Sequence, residues 1–373
     1  MRPKNWKALG AAWLIAAVYV SGGMLISGTF VSTAWLAAAR TRVKIEPTAK
    51  PALSQTTPTP TTSASAAIST STKPPAAPPA GVRANPFAGE KLFIDPDSPA
   101  AQQASAWATT RPSDAALMRK IATQPVATWL GDWYGNVGQA TRDWLNQMKA
   151  ANSLPVFVLY NIPNRDCGSY SAGGASSADA YRNWVKAIAD ASSGRKAVFI
   201  LEPDALAGWD CLSAAQRSER ASLLRYAVET LGAPTNHYVY LDAGNARWQS
   251  PETIAGRVRE IGTAKLQGVA LNVSNFLTTA ESKSYGQRLS SLTGGLHVVI
   301  DTSRNGQGPM PDLSWCNPPN RGLGAPPSAQ GGTIDALLWI KYPGESDGAC
   351  NGGPESGEWW PDYALGLAQR AAF

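Results

Sequence analysis

The sequence predicts an α/β fold built as a distorted parallel β/α barrel, TIM-like, with about seven strands. Short apolar runs alternate with segments of helical periodicity, which is typical of βαβ units and a parallel sheet. The 373 residues are enough for one such domain with accessory segments. An open doubly wound sheet is the competing architecture. No G-x-G-x-x-G follows the first predicted strand, so a dinucleotide-binding version of that architecture lacks support.

Residues 1–41 have the composition of an export segment. Three basic residues within the first seven positions precede an uncharged, largely apolar stretch over residues 8–39. A signal-peptide core is about 7–15 residues long, whereas about 20 apolar residues span a bilayer. We therefore favour an uncleaved signal anchor. A cleaved signal peptide ending near Ala37–Ala39 is the alternative.

Residues 42–84 form a predicted linker dominated by Pro, Thr, Ser and Ala. Such a segment buries too little apolar surface to offset the entropy lost on ordering, and its prolines stiffen it as a spacer. We interpret it as a tether that holds a domain over residues 85–373 away from a membrane or envelope. A disordered tail without function is the alternative.

The net charge of +6 belongs to the N-terminal part of the chain. Residues 1–84 hold nine Lys/Arg and one Asp/Glu, whereas residues 85–373 hold 24 and 26. The predicted domain therefore lacks the basic surface of a nucleic-acid-binding protein. Its four cysteines, without a C-x-x-C, fit either two disulfides in an exported protein or four buried thiols in a cytosolic one. The N-terminus favours the exported protein, either secreted or anchored to the outer face of the membrane.

The predicted elements alternate along residues 126–371. The predicted strands are Val126–Leu130, Pro155–Leu159, Ala197–Leu201, Tyr238–Leu241, Gly268–Val273, Leu296–Ile300 and Ala336–Ile340. The predicted helices are Gln139–Ala151, Ala178–Ala191, Ala214–Leu231, Pro251–Ala264, Thr279–Leu292 and Pro361–Ala371. A Gly/Pro-rich loop over Ser303–Gly332 precedes the last strand.

Polar side chains follow most of the predicted strands. The acidic ones are Asp166, Glu202, Asp204, Asp242, Asp301, Glu345 and Asp347. A single Asp at a strand end is usually a turn or cap residue. Repetition at the same end of most strands is harder to explain in that way, and a barrel would bring all these residues to one face. Because the chain has only two His, we expect acid/base chemistry without a metal or cofactor.

Eleven of the 14 tryptophans follow residue 84. Those near the predicted strand ends are Trp129, Trp133, Trp209, Trp248 and Trp315. Indole rings are flat platforms for sugar rings, which suggests a carbohydrate ligand. The alternative is a structural role, since Trp144, Trp184 and Trp339 fall at core-like positions and aromatic residues carry much buried area in any core.

The chain resembles the glycoside hydrolase family six cellulases over about residues 85–373. Six collinear segments carry the resemblance: Val156–Gly174, Phe199–Leu206, Leu241–Gly244, Asn272–Asn275, Asp301–Gly306 and Trp339–Gly348. The resemblance implies a distorted β/α barrel that hydrolyses internal β-1,4-glucosidic bonds of cellulose or related β-glucan with inversion. We also expect a monomer that needs no cofactor.

The resemblance also implies residue roles. Asp204 matches the general acid, Asp166 a carboxylate that raises the pKa of that acid, and Asp347 the residue usually proposed as base. The implied substrate-binding residues are Tyr160, Trp129, Asp242, Asn245, Trp248, Asn275, Trp315, Lys341 and Glu345. The implied disulfides are Cys167–Cys211 and Cys316–Cys350.

One position departs from the family pattern, which usually has His after Asp-Ala-Gly where this chain has Asn245. Asn can donate a hydrogen bond to a sugar hydroxyl but cannot carry a charge. We therefore expect catalysis to survive with altered substrate affinity. A cellobiohydrolase, a non-catalytic surface glucan-binding protein and a structural envelope protein are the alternatives to an endoglucanase.

Overall fold

The computed structural model describes residues 83–373. The predicted export segment, residues 1–41, and the predicted linker except for its last two residues lie outside this range. Within the described range, none of the helices has the length and apolarity needed to cross a membrane.

Eight strands form one sheet, in the spatial order β1-β2-β3-β4-β5-β6-β8-β7. They are β1 (Thr128–Gly131), β2 (Val156–Tyr160), β3 (Ala197–Leu201), β4 (His237–Asp242), β5 (Gly268–Leu271), β6 (His297–Asp301), β7 (Ser328–Ala329) and β8 (Ile334–Leu338). Every neighbouring pair is parallel except β7 and β8, which are antiparallel. The predicted parallel α/β architecture is confirmed, and the sequence did not predict the two-residue strand β7.

Eight helices accompany the sheet. They are α1 (Pro99–Trp107), α2 (Pro112–Ala122), α3 (Val137–Ala150), α4 (Ala178–Ser192), α5 (Ala214–Leu231), α6 (Pro251–Ile261), α7 (Thr279–Leu292) and α8 (Pro361–Gln369). Five of them begin at a Ser or Thr whose side chain accepts a hydrogen bond from the first turn, at Ser98, Ser177, Ser213, Ser250 and Thr278. Polar cap residues therefore mark the points at which the chain leaves the strand-end loops and enters a helix.

The two faces of the sheet are both buried, because side chains alternate along each strand. Phe157, Leu159, Phe199 and Leu201 belong to a core shared with the helices, whereas Val158, Val198 and Ile200 belong to a second core on the other face. Residues from β2, β3, β4, β5, β6 and β8 all contribute to this second core. The sheet therefore curls so that one face packs on itself.

The two ends of the parallel sheet approach each other at a seam. The N–H of Ala127, just before β1, donates to the carbonyl oxygen of Trp339, just after β8, at 2.9 Å. The indole N–H of Trp129 donates to the carbonyl oxygen of Ile340 at 2.8 Å. The curl brings the loops that follow all the parallel strands to the same end of the molecule.

Candidate active site

A cleft of about 440 Å³ lies at the carboxyl ends of the parallel strands. Loops that follow β2, β3, β4, β5 and β8 contribute to its wall, as does Trp129 of β1. It brings together eleven of the predicted site residues: Trp129, Tyr160, Asp166, Asp204, Asn245, Trp248, Asn275, Trp315, Lys341, Glu345 and Asp347. Asp242 does not line the cleft and lies buried beneath it.

Asp204 sits in the turn after β3, with its backbone in the left-handed region at φ 69°. Its N–H donates to Oδ1 of Asp242 at 3.0 Å, which fixes the turn against the end of β4. Burial raises the pKa of Asp204 well above its usual value, and the carboxylates of Asp242, Asp166 and Asp347 raise it further. Such a carboxyl group retains its proton at a pH where an exposed Asp has lost it.

Asp166 begins a short 3₁₀ turn, Asp166–Gly168, in the loop after β2. Burial raises the pKa of its carboxyl group, while a hydrogen bond from the N–H of Ser171 (2.7 Å) and the charge of Arg165 lower it. The buried guanidinium of Arg165 donates to the carbonyl oxygens of Tyr160 and Ser171, both at 2.8 Å. Arg165 therefore folds the loop back on itself and presents Asp166 to the cleft.

Asp347 has cationic partners. Its Oδ2 accepts hydrogen bonds from Arg304 Nη1 at 2.8 Å and from the N–H of Asn317 at 3.0 Å. Its Oδ1 lies 4.0 Å from Nζ of Lys341, which is itself 3.8 Å from Oε2 of Glu345. The side chain of Arg304 is fully buried and lies over the ring of Phe276. Because Oδ2 accepts both of these hydrogen bonds, Oδ1 is the oxygen of Asp347 that is better placed to accept from a ligand in the cleft.

Aromatic side chains shape the cleft. Trp129 packs edge-on against Tyr160 at 5.3 Å between ring centroids, and Arg165 covers the other side of the Tyr160 ring at 4.6 Å. Burial and the Asp204 carboxyl group raise the pKa of Tyr160 well above its usual value, so its hydroxyl keeps its proton. Trp248 and Trp315 are each 44% exposed at the cleft. Exposed flat rings of this kind can stack on sugar rings.

Asn245 and Asn275 each use their side-chain oxygen within their own loop. Oδ1 of Asn245 accepts from the N–H of Arg247 at 3.0 Å, and Oδ1 of Asn275 accepts from the N–H of Phe276 at 2.8 Å. Each side chain therefore keeps the two N–H donors of its amide for a ligand.

Three strand-end carboxylates are buried as clamps on neighbouring loops rather than exposed in the cleft. Glu202 accepts backbone N–H groups from the loop after β2, and Asp242 accepts the N–H of Asp204. Asp301 accepts the N–H groups of Ser274, Ser303, Ile340 and Lys341, which joins the ends of β5, β6 and β8. Repeated acidic residues at the strand ends therefore have two uses, chemistry and backbone clamping.

Both disulfides implied by the resemblance are present, Cys167–Cys211 and Cys316–Cys350. The first joins the 3₁₀ turn at Asp166 to the turn Ala207–Cys211 that follows Asp204. The second joins the residue after Trp315 to the loop after Asp347. The loops that carry Asp166 and Asp347 also contact each other through the hydroxyl groups of Ser171 and Ser356, 2.7 Å apart.

Some site residues were not predicted from the sequence. Arg304 follows the sixth predicted strand, and its pairing with Asp347 depends on the fold. Arg220 of α5 lies beneath the site, and its place on the apolar face of the helix, four residues before Leu224 and seven before Ala227, could have identified it. Within residues 83–373, the structure has no cluster of three or more His, Cys, Asp or Glu side chains arranged to hold a metal ion.

A carboxyl group with a raised pKa, beside further carboxylates in an aromatic cleft, suits the acid-assisted cleavage of a polar substrate. Residues 87–371 match the family model of the glycosyl hydrolases family 6. The chain belongs to that family.

Relatives at higher identity carry endoglucanase names. Endoglucanase A of Cellulomonas fimi is 44% identical over 285 residues, which cover 75% of this chain and 61% of that relative. Endoglucanase 1 of Streptomyces halstedii is 41% identical over 302 residues, 78% of this chain and 92% of the relative. This chain therefore spans under two thirds of the Cellulomonas protein. A cellobiohydrolase C of Emericella nidulans is 28% identical over 364 residues, 78% of this chain and 79% of the relative.

A solved structure that is similar to this chain is also an endoglucanase. The endoglucanase Cel6 from Mycobacterium tuberculosis, in complex with methyl-cellobiosyl-4-deoxy-4-thio-β-D-cellobioside, is 46% identical with a TM-score of 0.73. The match covers 77% of this chain and 99% of that one.

Proposed function

We propose that this protein is an endo-β-1,4-glucanase that hydrolyses internal bonds of cellulose or a related β-glucan with inversion. The observation that carries the proposal is that one cleft holds Asp204 and Asp347 in different electrostatic surroundings. Asp204 is half-buried among carboxylates, which favours its protonated form, whereas Asp347 is paired with Arg304. A glycosidase of this kind needs a proton donor on one side of the bond and a carboxylate on the other.

The proposed reaction assigns one step to each group. Asp204 donates its proton to the glycosidic oxygen as the bond to the anomeric carbon breaks. A water attacks that carbon from the opposite face, and its proton passes to Oδ1 of Asp347. Asp166 keeps the pKa of Asp204 raised, and its negative charge stabilises the oxocarbenium-like transition state. Inverting enzymes separate acid and base by about 6.5–9.5 Å to leave room for that water.

The binding roles follow the geometry of the cleft. Trp129, Trp248 and Trp315 are the proposed sugar platforms, and the amides of Asn245 and Asn275 are proposed donors to sugar hydroxyls. Tyr160 presses on the ring at the cleavage point, while Lys341 and Glu345 bind hydroxyls beside it. Asp242 supports Asp204 from below through its backbone N–H.

The endoglucanase names at 41–44% identity, against 28% for a cellobiohydrolase, support cleavage of internal bonds. The contact between Ser171 and Ser356 is the observation that favours the second candidate, a cellobiohydrolase, because joined loops restrict entry from the side.

We also infer that the curled sheet is a distorted barrel and that the protein acts outside the cytoplasm. Two disulfides in the described range support an oxidising compartment. Secretion or attachment to a membrane through residues 1–41, and a monomeric state, stay predictions.

The proposal is tested by product analysis on cellohexaose together with the variant Asp204→Asn. The wild type should release cello-oligosaccharides of mixed length as α-anomers and lower the viscosity of carboxymethyl cellulose quickly. Asp204→Asn keeps the shape of the side chain without the proton, so turnover should fall about 10²–10⁴-fold. Asp190→Asn, on the exposed face of α4, is the matched control and should keep full activity.

The other outcomes identify the alternatives. Release of cellobiose with little loss of viscosity would indicate a cellobiohydrolase. Binding of cellohexaose without any cleavage by the wild type would indicate a glucan-binding protein. Wild-type turnover by a folded Asp204→Asn variant would remove the acid role from Asp204.

A further inference from the structure

Glu202 is a fully buried carboxylate two residues before Asp204. One oxygen, Oε2, accepts the N–H groups of Asn161 at 2.9 Å and Ile162 at 3.0 Å, and Oε1 lies 3.1 Å from the N–H of Asn161. These two residues open the loop that runs from Tyr160 to Asp166. The Glu202 carboxylate therefore anchors the start of the Asp166 loop to the turn that carries Asp204.

Arg220 reaches the same loop from helix α5 and is 4% exposed. Its guanidinium donates to the carbonyl oxygens of Asn164 at 2.7 Å and Pro163 at 3.1 Å, two and three residues before Asp166. It also donates to the carbonyl oxygen of Ala205, the residue after Asp204, at 3.4 Å. The buried guanidinium of Arg220 therefore contacts the backbone of both loops, the one that leads to Asp166 and the one that follows Asp204.

Neither side chain lines the cleft. Burying an ionisable side chain costs free energy unless its hydrogen-bonding groups are satisfied. Two such side chains, Glu202 and Arg220, lie between the Asp166 loop and the Asp204 turn, so we expect a role that offsets this cost. The disulfide Cys167–Cys211 ties the two turns at their exposed side, where both cysteines are exposed. Glu202 and Arg220 tie them at the buried side.

We propose that Glu202 and Arg220 are positioning residues that set the place of Asp166 relative to Asp204 and thereby keep Asp204 in its acid form. This inference rests on the proposed glucanase function. The reason is electrostatic: Asp166 is one of the charges that raise the pKa of Asp204, and this effect weakens as the two carboxyl groups move apart.

The groups that face Glu202 come from several elements. They are Tyr181 of α4, Arg220 of α5 and Arg165 of the Asp166 loop. Burial raises the pKa of Glu202 to about 7 against the hydrogen bonds from Ile162 and Asn161. Glu202 is not among the charges that shift the pKa of Asp204, so its effect on the acid should pass through the loop.

The test compares Glu202→Gln and Arg220→Lys with the wild type on cellotetraose across pH. Both variants keep approximate size, and Arg220→Lys keeps the charge but replaces the two separated guanidinium nitrogens that reach the two turns with a single nitrogen. We expect kcat to fall about tenfold or more with KM changed less than twofold, since small displacements of catalytic groups are costly. The alkaline limb of the kcat/KM profile should move to lower pH in both variants, because Asp204 would lose its proton earlier.

An aryl cellotrioside with a 2,4-dinitrophenyl leaving group gives a second readout. This leaving group departs without a proton, so its hydrolysis should fall less than that of cellotetraose. The matched control is Asp335→Asn, another buried carboxylate, at the opposite end of the sheet, where it accepts from Tyr240 and His297. This control should lose thermal stability and keep both the wild-type kcat and the alkaline limb.

A purely structural role would give a different result. Lower thermal stability with unchanged kcat per folded molecule and an unmoved alkaline limb, in both Glu202→Gln and Arg220→Lys, would overturn the proposal. An inactive wild type would instead reject the proposed function, so the two failures are distinguishable.

Discussion

Asp204 and Asp347 have the same side chain but opposite surroundings. Asp204 lies among other carboxyl groups, and only its backbone is clamped, by Asp242. Asp347 lies against the buried guanidinium of Arg304 and near the ammonium of Lys341. Enzymes usually separate the acid from the base in one site by giving two titratable groups surroundings that shift their pKa values in different directions. Here burial and the neighbouring carboxylates raise the pKa of Asp204, whereas Asp347 forms an ion pair with Arg304.

Asn245 is the residue at which this chain departs from the family pattern. Its substitution tests whether the His at this position in the family acts as a hydrogen-bond donor to the substrate. Its oxygen accepts from the N–H of Arg247, which leaves both N–H donors of its NH₂ group for a ligand. If the missing His acts as a neutral donor, Asn245→His should tighten binding by about 0.5–1.5 kcal/mol, the net value of one hydrogen bond. Michaelis constants for cellotetraose at several pH values check this, with Asn245→Ala as the weaker-binding comparison. A shifted pH optimum at unchanged KM would contradict the hydrogen-bond account.

Sequence alone could not separate the two kinds of strand-end carboxylate. Asp204 faces the cleft, whereas Glu202, two residues earlier, is buried as a clamp, and both sit in left-handed turns after the same strand. Asp301 is also a buried clamp, and its carboxylate accepts hydrogen bonds from four backbone N–H groups. The predicted carboxylates did converge at one end of the sheet, but the direction of each side chain depends on turn geometry that composition does not reveal.

At the scale of elements, the central strands were predicted well because they are buried on both faces. The predicted Ala197–Leu201 coincides with β3, a fully buried apolar run. The last parallel strand was predicted two residues late, as Ala336–Ile340 instead of Ile334–Leu338. The pairing of β6 with β8 slips at this point, and the polar Asp335 interrupts the apolar run. The predicted strand therefore began after the irregularity.

Helices α1 and α2 were not predicted. They follow each other without an intervening strand, so the alternating βα pattern gave no place for them. A signal was present in α2, where Ala115, Met118 and Ile121 recur every third residue and are buried. Both helices contribute to a third core with α8, beside Trp339. They therefore cover the seam at which the sheet ends meet.

The disulfide Cys167–Cys211 is an element-scale constraint with a measurable effect. It closes a loop of 44 residues, which in the chain-entropy model contributes about 4 kcal/mol of stability. Replacing both cysteines by Ser should lower the melting temperature. It should also reduce activity more than removal of Cys316–Cys350 does, because the first bridge joins the Asp166 and Asp204 turns. Calorimetry and cellotetraose turnover check the two effects. Equal activity losses for the two bridges would argue against a special role for the first.

At the scale of the whole molecule, the two ends of the sheet hold different polar networks. The carboxyl end collects buried acidic groups that clamp loops around the cleft. The amino end holds one buried acid, Asp335, which accepts from Tyr240, Gln267 and His297. The parallel arrangement explains this asymmetry, because all the loops that follow strands gather at one end. Chemistry and the electrostatic cost of burying charge are thereby concentrated in the same half of the domain.

This concentration predicts a domain that is more stable in mild acid than in mild alkali. Burial raises the pKa of Glu202 and of Asp242 to about 7, and raises that of Asp204 and Asp301. Between pH 4 and 7 the folded state should therefore keep protons that the unfolded chain releases, so the stability from these groups is complete at low pH and is lost as the pH rises through their folded pKa values.

Glu202 and Asp242 should each contribute about 1–3 kcal/mol to the difference in unfolding free energy between pH 5 and pH 8. Thermal unfolding at these two pH values should show a melting temperature several degrees higher at pH 5. Asp242→Asn should reduce that difference, because an amide does not titrate, whereas the exposed Asp190→Asn should leave it unchanged. Buried His237, whose pKa is lowered by burial, acts in the opposite sense, because between pH 8 and pH 5 the unfolded chain binds a proton at this residue that the fold disfavours. A melting temperature that rises from pH 5 to pH 8 would show that the clamp carboxylates are ionised in the fold at the lower pH, with their charges stabilised by the backbone N–H groups they accept.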